Sequence, residues 1–308
     1  MKNTHLCFTS HKEVLFRNEA DMNTWFNCFC SALYKTDSIC YTDSTLSDHF
    51  HTCCRTQYPS ELIKISRDSY AKKFNNKYLR KGSLGDEGFF IQELDGLQQL
   101  LAAMTYTICN AKHHGVVASP FEYKYCSINS YFRKQLGKNT VPDRLLTPEE
   151  IRKVLPKRAE YNPSWKMNID GVFLRESVMD VETVEVSYGT AQAFNYYIGR
   201  KSSPEWKKEQ EVDGNEAITL ENFESGLIEK DVSKEKSLAS LLRNERSRTA
   251  VFAIDDLALC EIIDNQYVPK MGCKSVYSLT ESQKNAIANE LYKKYYARVS
   301  QLRRCLVF

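Results

Sequence analysis

The tripeptide His49-Phe50-His51, inside the segment TDSTLSDHFHTCC, constrains the fold more than any other feature of this sequence. In an extended strand, side chains at i and i+2 share a face and the one between them points the opposite way. The strand therefore sends Phe50 into a core and carries two imidazoles side by side on its reverse. Two such rings can converge on one divalent ion if a third ligand arrives from elsewhere and a position stays open for a substrate oxygen. Imidazole with oxygen ligands suits Mn²⁺ and tolerates Mg²⁺. In a chain with 6 histidines a His-x-His pair also arises by chance, so the pair alone does not decide the matter. Asp48 before it is an extra ligand, an orienting partner for His49, or simply a polar residue at the start of the strand.

A second feature supplies the missing chemistry. Tyr106 and Asn110 follow the apolar run GLQQLLAAM, so they lie on a helix, and four residues apart they share one helix face. The Asn110 amide oxygen can complete a metal shell while the Tyr106 phenol faces a metal-bound phosphate. A phenol is a weak nucleophile at its usual pKa of about 10. A divalent ion on the phosphate raises the reactivity of the electrophile and stabilises the developing charge. The resulting phosphotyrosine bond keeps the energy of the broken phosphodiester for resealing. The chain has 18 tyrosines, and Tyr70, Tyr78, Tyr123 and Tyr125 compete with Tyr106 on pattern alone. His113 and His114 border this helix face.

Around these two features the N-terminal part reads strand (4–10), helix (19–34, from Met22, Trp25, Phe26, Phe29 and Leu33), an extended stretch (38–56), then helices. Gly137, Asn139 and Pro142 cluster in RKQLGKNTVPDR and suggest a linker. A helix starts at Thr147 with a Thr147/Glu150 capping box and Pro148 in its first turn. A further helical pattern spans 179–198, and residues 205–236, acidic in their middle, suggest a connector. The expected division is 1–137, a nuclease-like domain; 138–278, a helical accessory region with that connector; and 279–308, a helix-turn-helix-like segment. Hydrophobic residues make up 42% of the chain and charged residues 26%, which excludes a wholly disordered protein. A net charge of only +3 leaves nucleic-acid binding to local basic faces. No apolar run spans a bilayer, no secretory pattern opens the chain, and 11 cysteines without a Cys-x-x-Cys pair suggest a reducing cytoplasm.

Two basic faces stand out. In YAKKFNNKYLRK, Tyr70, Phe74 and Tyr78 recur every four residues beside Lys72, Lys73, Lys77, Arg80 and Lys81. This is either a core stripe with a solvated face or a set of phosphate contacts for a single strand. The glycines 82, 85 and 88 that follow suggest a mobile loop over the site. At the C-terminus, Thr280 and Gln283 form a capping box, and VSQLRRCL offers Gln301, Arg303 and Arg304. That pair of helices is either a DNA-reading helix-turn-helix or an amphipathic hairpin closing the domain.

Together these residues resemble the single-tyrosine transposases of the HUH nuclease class, most of all the REP-associated branch. TDSTLSDHFHTCC resembles that family's His-hydrophobe-His strand and YTICNAKHHGVV its tyrosine helix. FTSHKEVLF, the Gly-containing stretch and YKYCSINSY sit in the family's order, over about residues 1–135. Ala111 stands where the family usually has Pro, and Asp48 where Asn is common. The resemblance implies an α+β fold with a ferredoxin-like βαββαβ core, an antiparallel sheet and a mainly helical C-terminal domain. It implies His49, His51 and Asn110 as ligands of Mg²⁺ or Mn²⁺ and Tyr106 as nucleophile. It also implies a 5′-phosphotyrosine intermediate with a free 3′-OH, and a partner that is single-stranded DNA with a hairpin. The expected protein is a monomer or homodimer that touches no membrane. The alternatives are a catalytically silent hairpin-binding protein and a metal-dependent hydrolase with no covalent step.

Overall fold

A computed structural model describes residues 1–138, 142, 144–199, 223, 241–243, 250–252 and 254–308. The expected connector at 205–236, apart from Phe223, and part of the expected linker lie outside the described residues.

Four strands, β1 (Lys2–Thr9), β2 (Ile39–Thr45), β3 (His49–Thr56) and β4 (Phe90–Glu93), form one antiparallel sheet in the order β2-β3-β1-β4. α1 (Glu19–Lys35) joins β1 to β2, and α2 (Pro59–Tyr78) joins β3 to β4. This is the expected βαββαβ core within an α+β fold. Asn18 caps α1 by accepting from the Asp21 amide, and Glu19, Asp21 and Lys35 sit at the ends where the helix dipole favours them. α2 begins well before residue 70, because Leu62, Ile63 and Ser66 extend the buried stripe of Tyr70, Phe74 and Tyr78. It ends where Leu79 turns left-handed at φ 54°.

The two faces of the sheet are as unlike as the tripeptide requires. On one, Phe50 meets Trp25 and Phe29 of α1, each at 4.9 Å between ring centroids, and Phe8 of β1 meets Trp25 at 5.6 Å. Tyr70 of α2 joins the same layer at 5.7 Å from Trp25. The other face is covered by α3 (Gly96–His113). α3 is buried all along 99–111 because a further layer packs on its back. That layer is α6 (Val181–Tyr188) and α7 (Ala191–Gly199), tied on by Thr105 Oγ1 to Tyr188 Oη at 2.9 Å. Gly189, at φ 77°, divides the helical pattern of 179–198 into these two helices. Before them come α4 (Pro148–Val154), with the expected capping box, and α5 (Arg175–Val178).

The outer edge of β2 is covered by the YKYCSINSY segment. The Thr45 amide donates to Tyr125 O and the Asp43 amide to Ser127 Oγ, both at 2.9 Å, which leaves little free edge to pair with another chain. A short hairpin, β5 (Leu241–Arg243) with β6 (Ala250–Phe252), precedes the C-terminal helices. α8 (Asp256–Ile262) continues through a π-helical turn (Ile263–Tyr267) into α9 (Val268–Lys270). α10 (Glu281–Tyr295) and α11 (Val299–Leu306) follow. These helices share a second apolar cluster that includes Leu259, Ile263, Ile287, Leu291, Leu302 and Leu306, with Val14 reaching in from the N-terminal part. The buried Arg17 guanidinium grips Asp264 with two bonds of 2.8 Å. Among the described residues, no helix is long and apolar enough to cross a membrane.

Candidate active site

β3 and α3 run past each other so that successive side chains of one meet successive side chains of the other. Thr107 Oγ1 lies 3.4 Å from Cys53 Sγ, the Tyr106 ring 5.2 Å from the His51 ring, and Asn110 Oδ1 2.9 Å from His49 Nε2. His49, His51, Tyr106 and Asn110 are thus gathered in one place, and none of them is more than 2% exposed.

His49 is held from both ends. Its Nδ1 is 2.7 Å from Asp48 Oδ1 and its Nε2 faces Asn110 Oδ1. Both oxygens are acceptors, and a neutral imidazole has a single N–H. Both contacts are satisfied by a cation at Nε2, or by the Asn110 amide turned so that Nδ2 donates to it. Two ligands at about 2.1 Å on adjacent corners of an octahedral ion stand about 3.0 Å apart. His49 Nε2 and Asn110 Oδ1 therefore fit Mg²⁺ or Mn²⁺ as neighbouring donors. Asn110 Nδ2 is buried with no hydrogen bond among the described residues, so nothing else fixes the amide.

His51 is arranged differently. Its Nδ1 lies 3.1 Å from His5 Nε2 and its Nε2 3.7 Å from Cys7 Sγ. It offers Nε2 as a ligand lone pair only in the tautomer protonated at Nδ1, with His5 Nε2 accepting. Burial first, then the neighbouring histidines, pushes the His51 pKa far below the usual value and keeps the ring neutral, as a metal ligand must be. Burial alone takes His5 down to about 3. Among the described residues, no three or more His, Cys, Asp or Glu side chains gather as a metal site, so the donor set depends on the Asn110 amide.

Tyr106 lies within a cluster of rings. His51 and His5 stand edge-on to it at 5.2 and 6.0 Å, His113 lies 5.5 Å away, and Phe223 stacks on it at 4.7 Å with 20° between the planes. Burial, with Lys112 adding to it, lowers the His113 pKa. His114 packs on His49 at 4.7 Å.

Several of these neighbours are not evident from the sequence. His5 and Cys7 alternate with Leu6 and Phe8 along β1, and pairing of Cys7 with His51 across the ladder puts them on the imidazole face. The alternation was present in THLCF, but the ladder register was not. Phe223 has no local signal.

The basic candidates are not brought to this cluster. α2 lies in the layer against Phe50, across the sheet from the imidazoles. Tyr70, Phe74 and Tyr78 are core residues there. Lys77 binds Asp21 at 2.6 Å and Arg80 is paired with Glu13, while Lys72 and Lys81 are exposed and Lys73 is half-buried. The glycine loop is also on that side. A Cβ on Gly85, which has φ +78°, would come within 2.5 Å of the Phe8 ring, and the Asp86 amide donates to Thr9 O at 3.0 Å. The loop expected to move over the site is pinned at this point to the end of β1, because packing against Phe8 fixes it.

The C-terminal candidates need a similar correction. Arg303 is exposed, but Gln301 and Arg304 are buried. Gln301 Nε2 donates to Ile254 O at 2.8 Å. Arg304 Nη2 lies 3.1 Å from Asp256 Oδ2 and its Nε 3.6 Å from Asp48 Oδ2. Neither side chain is presented to a DNA groove. The amphipathic pattern of α11 turns both inward, and Arg304 ends against the carboxylate that holds His49.

No protein-family model matches this chain, and no curated protein matches it. Among solved structures, a REP-associated tyrosine transposase bound to a REP hairpin is similar, with a TM-score of 0.37 and 9% identity over 46% of this chain and 82% of that one. A likeness so distant adds no weight to the geometry.

Proposed function

We propose that this chain cuts and rejoins single-stranded DNA by transesterification on Tyr106. The observation that carries the reading is the meeting of a phenol-bearing and amide-bearing helix face with the imidazole face of β3, at 5.2 Å between the Tyr106 and His51 rings and 2.9 Å between Asn110 Oδ1 and His49 Nε2. In the proposed step Tyr106 Oη attacks the phosphorus and the bond to the 3′ oxygen breaks. The DNA is left with a 5′-phosphotyrosine link and a free 3′-OH, and attack by a 3′-OH reverses the step. His49 and Asn110, with His51 as third donor, would hold Mg²⁺ or Mn²⁺, which polarises the phosphate when bound. Asp48 orients His49. His113, kept neutral by burial beside Tyr106, can take the phenol proton. Phe223 covers one face of the Tyr106 ring and leaves the phenol oxygen at the ring's edge.

One observation favours a second reading, a silent hairpin-binding protein: Tyr106 is only 1% exposed and covered by Phe223. A denaturing gel with labelled single-stranded DNA and Mn²⁺ separates the two. The proposal expects a covalent protein–DNA adduct in the wild type and none in Tyr106→Phe. Retained binding without adduct under either metal supports the silent reading. Strand cutting that survives Tyr106→Phe but not His49→Ala would indicate a hydrolase.

A further inference from the structure

A cleft of about 760 Å³ opens between α4, the chain that follows it and the end of α1. It is a separate place from Tyr106, because α1 lies against the Phe50 face. Its floor is aromatic. Tyr34 is 44% exposed, and Tyr161 and Trp165 are half-buried. Trp165 stands edge-on to Tyr34 at 6.5 Å. Trp165 and Tyr161 both rest on the buried Phe173, at 5.7 and 5.5 Å, so their outward faces are held in place.

The rim is cationic. Arg152, Lys157 and Lys166 line the cleft and are exposed, and no ion pair engages them among the described residues. The acid in the lining, Glu160, lies 3.8 Å from Lys35 and is offset by it. Apolar rings left partly in water favour a flat partner that covers them. Three unopposed cations select an anion. A polyanion with exposed aromatic faces meets both demands, and only an unpaired strand offers base faces to stack. A proline-rich peptide also lies in aromatic grooves but makes no use of the cations.

We propose that this cleft is a second binding site for single-stranded DNA, with bases stacked on Trp165 and Tyr161 and phosphates on Arg152, Lys157 and Lys166. It shares a substrate class with the proposed reaction but none of its residues, so either can fail without the other. The test is fluorescence anisotropy of a short labelled oligothymidylate, which forms no hairpin, with the full chain in EDTA. Trp165→Ala is expected to weaken binding about tenfold, the size of one lost stacking contact. Lys157→Ala with Lys166→Ala is expected to reduce the slope of log K against log salt by about 1.4. Trp165→Phe keeps a stacking face and is expected to bind within about threefold of wild type, which a generally disrupted variant would not do. Wild-type affinity in Trp165→Ala overturns the proposal, whether or not that variant loses a proline-rich peptide. An equal loss in Trp165→Phe and Trp165→Ala overturns it too.

Discussion

Replacing Arg304 by alanine tests whether the C-terminal helix belongs to the candidate site or serves to read DNA. The guanidinium is 11% exposed and lies between two carboxylates of similar burial, Asp256 at 3.1 Å and Asp48 at 3.6 Å. Burial works against its charge, yet the attraction of Asp256 and then Asp48 outweighs it and raises the Arg304 pKa. Removing the cation strands two buried carboxylates beside each other. Breaking a buried ion pair from one side costs about 3–5 kcal/mol, which in a chain of 308 residues lowers Tm by roughly 5–8 °C. Asp48 also loses its outer partner, so its hold on His49 loosens. Loss of such outer support weakens metal binding about 10–100-fold. The assays are thermal unfolding of Arg304→Ala, Asp48→Asn and the double variant, and calorimetric Mn²⁺ titration of each. A coupling of at least about 1 kcal/mol in the cycle is expected, because both groups share one desolvated cluster. An Arg304→Ala protein that melts within a degree of wild type and binds Mn²⁺ equally, while losing DNA affinity, would refute the reasoning and return Arg304 to a DNA-reading role.

Acid should unfold the chain through its buried histidines. His5 titrates near 3 in the fold against about 6.5 unfolded, so the unfolded state binds more protons between those values and stability falls as pH drops through that window. From about pH 7.5 to pH 5 the loss from His5 is about 2 kcal/mol, and His51 adds to it with the same sign; equal urea midpoints at both pH values would contradict this. Gly85→Ala puts a methyl against Phe8 at a left-handed backbone position, and a cost of about 2–4 kcal/mol is expected in urea melts. Of the 11 free cysteines, Cys273 alone is not buried. Ellman's reagent should therefore find about one fast thiol in the native chain, and several fast thiols would mean the core is packed otherwise.

The strand at 4–10 and the helix from Met22 to Leu33 were legible because their signals are local. The βαββαβ order rested on the resemblance: residue pattern alone gives 38–56 as one extended stretch, where the structure has β2 and β3, and gives no sign of the short β4. The meeting of His49 with Asn110 and of His51 with Tyr106 was expected from chemistry, since each pair lacks something the other has. What could not be read depends on register and on distant chain. Arg304 looked like a DNA-reading side chain because nothing local to its helix supplies the carboxylates that let an arginine be buried beside the apolar stripe. Its partners Asp48 and Asp256 are remote in sequence. Lys77 and Arg80 looked available for phosphates until the paths of α1 and the β1–α1 loop placed Asp21 and Glu13 beside them.

The two faces of the sheet also bear on why the site is there at all. The same strands that place Leu6, Phe8 and Phe50 on one side place His5, Cys7, His49 and His51 on the other. α3 could have covered that second face with apolar contacts, as Trp25 and Phe29 of α1 and Tyr70 of α2 cover the first. Instead it lays Tyr106 and Asn110 onto imidazoles, with His5 Nδ1 and Asn110 Nδ2 making no hydrogen bond among the described residues. Each such buried group costs about 1–3 kcal/mol, and Leu or Val at these places would avoid it. A stable fold does not require that expense, and native chains tolerate such groups mainly where a site needs them. The cluster is therefore better explained by a binding role than by what it holds together, and the Phe223 ring stacked on Tyr106 at 4.7 Å closes it on one side.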